Sequence, residues 1–477
     1  VQRRKLFMNF VLLLSGNVLG QFLFFIGFVH LARVLGPQGF GVWNFALALL
    51  MYFHRAGEFG LEVIGVREIA REPSEISSWI AKIIVIRVIL ASILFTIGIL
   101  LVIFHLIPQK YGTLFLIFLI SIFPMAILLE WVYEGLQRLM QVSIARIAKG
   151  MLFLLFALIF VRTDMDIKQS SIIYVISLAL PILFIFRIVW KEFGFGRFPL
   201  RSEILNTLRA ASPIGIATLL SNYSLFLGTI VVGYLLTAED LGYYAAGQRI
   251  VIFLWAYLIN SLHRVLLPTL VKNYKQDIKA FSEFTISFFR RAVIGSFGFG
   301  LIISIIAPAI IVILYSSQYA SSLKVFQYMI WAFVVAGIRC IFEISLIASD
   351  NQNRYLGGMI ILAVLYTFLM PVLTLRYGIT GAAIGSVISE MGYLIFLIAT
   401  FPYLKFTLLL SHLWKPTIGL AAGILGVLIF STVGWWLQLI ISMSAYLLVL
   451  IFIKGISMED CNWLVTLLHG AENEVTA

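Results

Sequence analysis

The chain has 477 residues, 61% of them hydrophobic and only 12% charged, with a formal net charge of +12. A mean hydropathy of +1.04 lies far outside the soluble globular balance. A spanning helix takes ~20 apolar residues, so fourteen spans use roughly 280 and leave little for any soluble domain, and none is placed.

Apolar segments in chain order predict spans at 6–31, 40–61, 80–106, 112–134, 143–161, 170–190, 213–236, 242–266, 285–315, 323–347, 355–375, 380–402, 414–433 and 435–453. The first is too long for a signal h-region and no small-x-small site follows it, so it is expected to be a span. Links on one side are short: 32–39, 107–111, 162–169, 237–241, 316–322, 376–379 and the turn near Gly434. On the other side, 191–212 is longer, and 267–284 is read either as an amphipathic helix on the membrane surface or as a solvated linker.

Six basic residues fall on the short-link side (Arg33, Lys110, Arg162, Lys168, Lys324 and Arg376), and Arg55, Arg87, Arg249 and Arg339 fall within or close to spans. The other 24 of the 34 Lys and Arg, Lys149 among them, lie on the opposite side or at its helix ends. That asymmetry predicts a multi-pass protein of the cell (cytoplasmic or inner) membrane with both termini cytoplasmic. The basic excess is topological, and no nucleic-acid partner is expected.

The string Arg33-Val34-Leu35-Gly36-Pro37-Gln38-Gly39-Phe40-Gly41-Val42-Trp43 has a counterpart about 200 residues later, Leu235-Leu236-Thr237-Ala238-Glu239-Asp240-Leu241-Gly242-Tyr243-Tyr244. Each joins two long apolar segments. A second match pairs Glu134-Gly135-Leu136-Gln137-Arg138 with Ile347-Ala348-Ser349-Asp350-Asn351-Gln352. Two similar halves are a common plan for transporters. Six spans per half is an even number, so the halves share one orientation. Expected domains are 1–200 (spans one to six), 201–404 (spans seven to twelve), and 405–477, an added helical hairpin with a cytoplasmic tail.

On the turn at 33–43, the restart at 241–250, the stretch from Arg376 to Glu390 and the span count, the chain resembles the multidrug/oligosaccharidyl-lipid/polysaccharide exporter superfamily, specifically its oligosaccharide flippase (polysaccharide transporter) branch. The resemblance covers nearly the whole chain. It implies an all-α polytopic membrane protein of about 14 transmembrane helices, with two six-helix lobes around a central cavity plus the C-terminal hairpin. It implies alternating access and export of a polyprenyl-diphosphate-linked sugar unit for surface polysaccharide synthesis. Implied partners are the lipid-linked oligosaccharide, membrane lipids, and a glycan polymerase or glycosyltransferase. Gly36, Gly39, Gly41, Gly381 and Gly385 are read as scaffold, permitting tight backbone and close helices.

A charge near a helix centre costs ~2.5–3.5 kcal/mol and faces protein or a wet cavity. The candidates for substrate binding are Arg55, Arg249, Arg87 and Arg339, because guanidinium forks match phosphate oxygens. Arg55 and Arg249 stand out, since the second and eighth spans correspond in the two halves. The alternative is pairing within the membrane, Arg55 with Glu58 or Arg339 with Glu343. Glu58, Glu343 and Glu390 are the candidates for coupling or ion pairing. Asn17 and Gln21, at i and i+4, and Asn222 in the other half either meet sugar hydroxyls or bond between helices.

A cation-coupled multidrug or organic-cation exporter would place acids deep in the bundle, yet no Asp falls within a span. A polyprenyl-linked glycosyltransferase or polymerase would need a catalytic domain or a large outer loop. Asp164-Met165-Asp166 has the look of a metal–nucleotide-sugar motif but sits in a short outer loop, and is read as a solvated turn. No phosphate loop occurs. Cys340 and Cys461 are read as incidental thiols. No catalytic residue, cofactor or metal ligand is expected.

Overall fold

The computed structural model describes residues 2–403, 406–430 and 432–456, with the side chains of 2–15, 17, 221, 260, 261, 264, 265, 406 and 410 left aside. All regular structure among them is helical. The long helices are α1 (Gln2–Glu58), α3 (Ile76–Ile103), α7 (Leu139–Phe160), α8 (Ile167–Phe193), α9 (Arg201–Leu235), α10 (Ala238–Gln276), α11 (Ile278–Tyr315), α12 (Ser322–Ala348), α13 (Gln352–Thr400), α15 (Trp414–Ile429) and α16 (Trp435–Phe452). Between them lie the short α2 (Leu61–Arg71), α4 (Gln109–Leu119), α5 (Ile122–Ala126), α6 (Glu130–Gly135) and α14 (Phe406–Ser411). Nine helices among the described residues are long and apolar enough to cross a membrane, or up to eleven if each of two bent pairs is one span.

Two expected links are single residues. α1 is two apolar helices meeting at Gly36 (φ 65°, ψ 175°), and α13 is two meeting at Gly378 (φ 62°, ψ −146°). Backbone there is essentially confined to glycine. Pro37 then opens the second arm of α1, where the N–H it lacks would have had no helical partner. The arms of α13 pack on each other: a Cβ at Gly381 would stand 1.9 Å from the Leu373 carbonyl oxygen, and one at Gly385 3.3 Å from Met370.

The predicted fourth span is instead broken into α4, α5 and α6, with a 42° bend. Pro124 lies in α5 and removes a backbone donor, while the Ser121 hydroxyl bonds the Phe118 carbonyl at 2.6 Å. Over 267–284, read as a surface helix or a solvated linker helix, the described residues form no separate helix. α10 runs on to Gln276, and α11 starts two residues later, its first N–H groups taken by the Asp277 carboxylate (Lys279 N at 3.0 Å). A short acidic side chain at a helix start satisfies donors that the helix leaves open.

Contacts divide the chain into two compact units: Val1–Phe253 with Ile313–Val325 and Ala363–Gly385, and Leu254–Val312 with Phe326–Leu362 and Ser386–Ala477. In the first, Trp43 from the repeated turn is fully buried, edge-on to Phe28 and Phe118 at 5.2 Å each and to Tyr174 at 5.8 Å. In the second, Tyr446 packs with Leu301, Ile305 and Leu450 and bonds the Ile294 carbonyl at 2.7 Å. Outward rows such as Ile89, Ile93, Ile97 and Leu100 on α3 stay exposed. In water such a row would be an aggregation surface. It suits a helix that meets lipid.

Candidate functional site

Within the first unit, the repeated turns meet. A Cβ at Gly41 would lie 1.8 Å from the Ala238 carbonyl oxygen, and a Cβ at Gly242 would lie 1.8 Å from the Pro37 carbonyl oxygen. The contact is reciprocal: the glycine of each copy receives the backbone of the other. No side chain larger than hydrogen fits between them. The same end is tied by Arg33, whose Nε donates to the Leu314 carbonyl at 2.7 Å and whose guanidinium also reaches Ile313. Tyr319 donates to the Ala32 carbonyl at 2.8 Å and Gln318 to the Arg33 carbonyl at 3.2 Å. Gly41, read as scaffold, and Gly242, not among the glycines so read, thus bring the two turns into backbone contact at one end of the first unit.

Arg249, on α10, lies just inside that closure. Its Nε and one terminal nitrogen donate to Asn44 Oδ1 at 3.0 and 2.8 Å, and the guanidinium stands 4.2 Å from the Phe28 ring centroid. Asn44 is itself held, donating to the Phe40 carbonyl at 2.8 Å. Among the described residues Arg249 forms no ion pair. Sequence reasoning missed Asn44, because an amide beside a buried Trp gives no signal without its distant partner.

Arg55 sits near the other end of the same arm of α1, eleven residues beyond Asn44, about 16 Å along a helix axis. It is 43% exposed and bonds Glu58 at 2.7 Å. Lys149 stands within electrostatic reach of both Arg55 and Arg146, and Glu58 within reach of Arg87. Arg146 bonds Glu130 at 2.9 Å and Glu134 at 2.7 Å, and the fully buried Arg87 pairs with Glu62 at 3.2 Å and donates to the Leu128 carbonyl at 3.2 Å. Glu58, Glu62 and Arg87 line one small cavity with His54. By sequence position Lys149 belongs with the cytoplasmic helix ends. It is mid-way along α7, its Nζ 5.3 Å from the Phe24 ring centroid and within electrostatic reach of Arg55 and Glu130. Four cations and four carboxylates balance here. Arg249 has no such balance.

The amides are less informative. Asn222 lies at a 42° bend of α9 and bonds its own helix, donating to the Thr218 carbonyl at 2.9 Å. Gln21 is exposed. The Asn17 side chain lies outside the described residues. Asp164-Met165-Asp166 is a capped turn: backbone N–H groups of Arg162 and Thr163 both meet Asp166 at 2.9 Å and hold its carboxyl below the usual carboxylate range.

The second unit gathers the other charged candidates. Arg339 is 5% exposed and bonds Glu390 at 2.7 Å and Glu343, whose Oε1 also accepts the Tyr393 hydroxyl at 2.8 Å. The Arg339 ring contact with Tyr393 is 4.7 Å. Removing one partner of a buried pair costs about 3–5 kcal/mol, because the other charge is stranded. Arg339→Ala is therefore expected to lower the melting temperature sharply and to deplete membrane protein levels. An unchanged melt would remove this structural role.

The family described as "Polysaccharide biosynthesis protein" matches residues 6–274. A protein of Escherichia coli (strain K12) described as an O-antigen transporter is 22% identical over 378 residues, 76% of this chain and 88% of that protein. The solved lipid II flippase MurJ, in an inward closed conformation, is similar with a TM-score of 0.74 at 14% identity, over 94% of this chain and 99% of its own. An inward-facing multidrug resistance MATE family transporter of the MOP superfamily gives 0.65 at 17% identity, over 79% and 92%. At these identities the two solved structures establish the fold alone.

Proposed function

From the premise that the chain belongs to the polysaccharide biosynthesis protein family, in the oligosaccharide flippase branch of the superfamily it resembles, we propose that it moves polyprenyl-diphosphate-linked oligosaccharides from the inner to the outer leaflet by alternating access. The E. coli relative described as an O-antigen transporter and the fold shared with a lipid II flippase support this reading. The observation that carries it is Arg249. A guanidinium held at depth by a neutral amide, with no carboxylate bonded to it, is a permanent cation awaiting an anion.

Arg55 and Arg249 then serve as two stations for the diphosphate rather than one clamp. Arg55 is half open and keeps donors beyond the one given to Glu58, so it suits first capture. Arg249 lies deeper, beside the closed end. The sugars occupy the wet interior while the prenyl tail stays in lipid. Opening of the Gly41–Gly242 contact releases the head group to the outer side. An inside-negative potential favours this direction by ~2.3 kcal/mol per net charge per 100 mV.

The same reading keeps fourteen spans, lobes over 1–200 and 201–404 with the hairpin in 405–477, and both termini on the cytoplasmic face of the cell membrane. It assigns the protein transport and no covalent chemistry, with a glycan polymerase or glycosyltransferase acting on what it delivers. An organic-cation exporter is disfavoured by the carboxylates of the first unit, since Glu58, Glu62, Glu130 and Glu134 are each engaged by arginine. The test is reconstitution of the full chain in liposomes with a labelled polyprenyl-diphosphate oligosaccharide on one leaflet. Protein-dependent movement of label, absent with a cationic dye as cargo, is the expected result. Movement of the dye alone would overturn the reading.

A further inference from the structure

Three donors of the kinds that hold transition metals converge in the second unit, and none belongs to the transport path proposed above. His263 comes from α10, while Cys340 and Glu343 sit at i and i+3 on α12, which puts both on one helix face. One ring nitrogen, the Cys340 sulfur and a Glu343 carboxylate oxygen all lie within 4.8 Å of one another. Cys340 and Glu343 are buried, 1% and 7% exposed, and His263 is half-buried. We propose that His263, Cys340 and Glu343 form a binding site for a divalent transition-metal ion of the zinc class.

The donor set selects the ion. Nitrogen, thiolate and carboxylate together suit zinc, whereas alkali and alkaline-earth ions prefer oxygen alone. Donors around a tetrahedral zinc stand about 3.5 Å apart, so small side-chain rotations close the set. Three protein ligands leave a fourth position for water. Glu343 is oriented for the role: its bonds from Arg339 and Tyr393 both fall on Oε1, leaving Oε2 to ligate. Outer partners of this kind fix a ligating carboxylate.

Charge supplies an independent argument. Arg339 faces two buried carboxylates, Glu343 and Glu390, so the ionised trio has one negative charge in excess. A dication bound by the Cys340 thiolate and neutral His263 cancels that excess. A bound proton would cancel it too, and the two occupants differ in a direct readout.

The chain has two cysteines, and Cys461 lies outside the described residues. Full-length Cys461→Ser protein in detergent, stripped with chelator and titrated with Co²⁺, therefore reports on Cys340 alone. The expected result is about one equivalent bound, with a thiolate-to-cobalt charge-transfer band that zinc abolishes. His263→Ala should weaken binding by at least about tenfold, the lower bound seen even for outer-shell partners. Cys340→Ser should remove the band, with thermal melting and gel filtration confirming that each variant is folded. The parent titration decides by itself: no charge-transfer band in the Cys461→Ser chain overturns the site and leaves the proton as occupant. A band that survives in both folded variants overturns it equally.

Discussion

Alanine at Gly41 or at Gly242 is expected to reduce transport by about 5- to 150-fold without comparable loss of protein. Each Cβ would enter the space of a carbonyl oxygen, at 1.8 Å from Ala238 or from Pro37. These atoms are backbone, so no side-chain rotation relieves the clash. The helices must separate. Overpacking of this kind costs about 1–3 kcal/mol, and at ~1.4 kcal/mol per factor of ten that shifts the closed population by the stated range. Helix propensity works the other way, since Ala is favoured over Gly by ~1 kcal/mol inside a helix. The loss would therefore fall on closure and not on folding. Gly295 is the control, because a Cβ there meets nothing within 4 Å. The double variant should lose less than the product of the two single losses, as both clashes are relieved by one separation. Transport within twofold of the parent in both single variants would show that the contact is not part of the cycle.

Much of this arrangement was legible because it is local or repeated. The Gly36 break could be anticipated from Gly-Pro between apolar runs, and the kinship of 33–43 with 235–244 marked the two turns that prove to meet. Where the reading stopped short, the cause was distance along the chain. Arg249 finds Asn44 across 205 residues, and Arg146 finds Glu130 and Glu134 across 16 and 12. No helical spacing encodes those pairs. Lys149 was hidden by a different effect: a basic residue near a span's inner end counts toward topology, and its depth depends on where α7 begins. A separate helix over 267–284, at the surface or in solvent, did not form because a run of Lys and apolar residues suits either a solvated amphipathic helix or the continuation of a span. Asp277, which caps α11, was the overlooked punctuation.

Asn44 offers the sharpest test of what Arg249 does. Arg249→Ala removes charge and fork together, so a loss of transport leaves their roles mixed, and it also leaves the Asn44 amide oxygen without its donors. Arg249→Lys keeps the charge on a point donor and loses the planar fork. Asn44→Asp does the reverse. It preserves the size of the side chain and puts a full negative charge on the acceptor of both nitrogens now 3.0 and 2.8 Å away, while giving up the amide's own bond to the Phe40 carbonyl, so gain and loss in stability oppose each other. The guanidinium stays in place while its charge is cancelled. If Arg249 is a structural clasp, Asn44→Asp should leave transport intact, since the guanidinium keeps its acceptor. If it is the cation that draws the diphosphate inward, Asn44→Asp should cripple transport as deeply as Arg249→Ala, at membrane protein levels equal to the parent's. Arg249→Lys should then fall between. The proposed site predicts the second pattern, in flux measured with the labelled lipid-linked oligosaccharide. Full flux in Asn44→Asp would return Arg249 to the scaffold and leave the anion to Arg55 and Lys149.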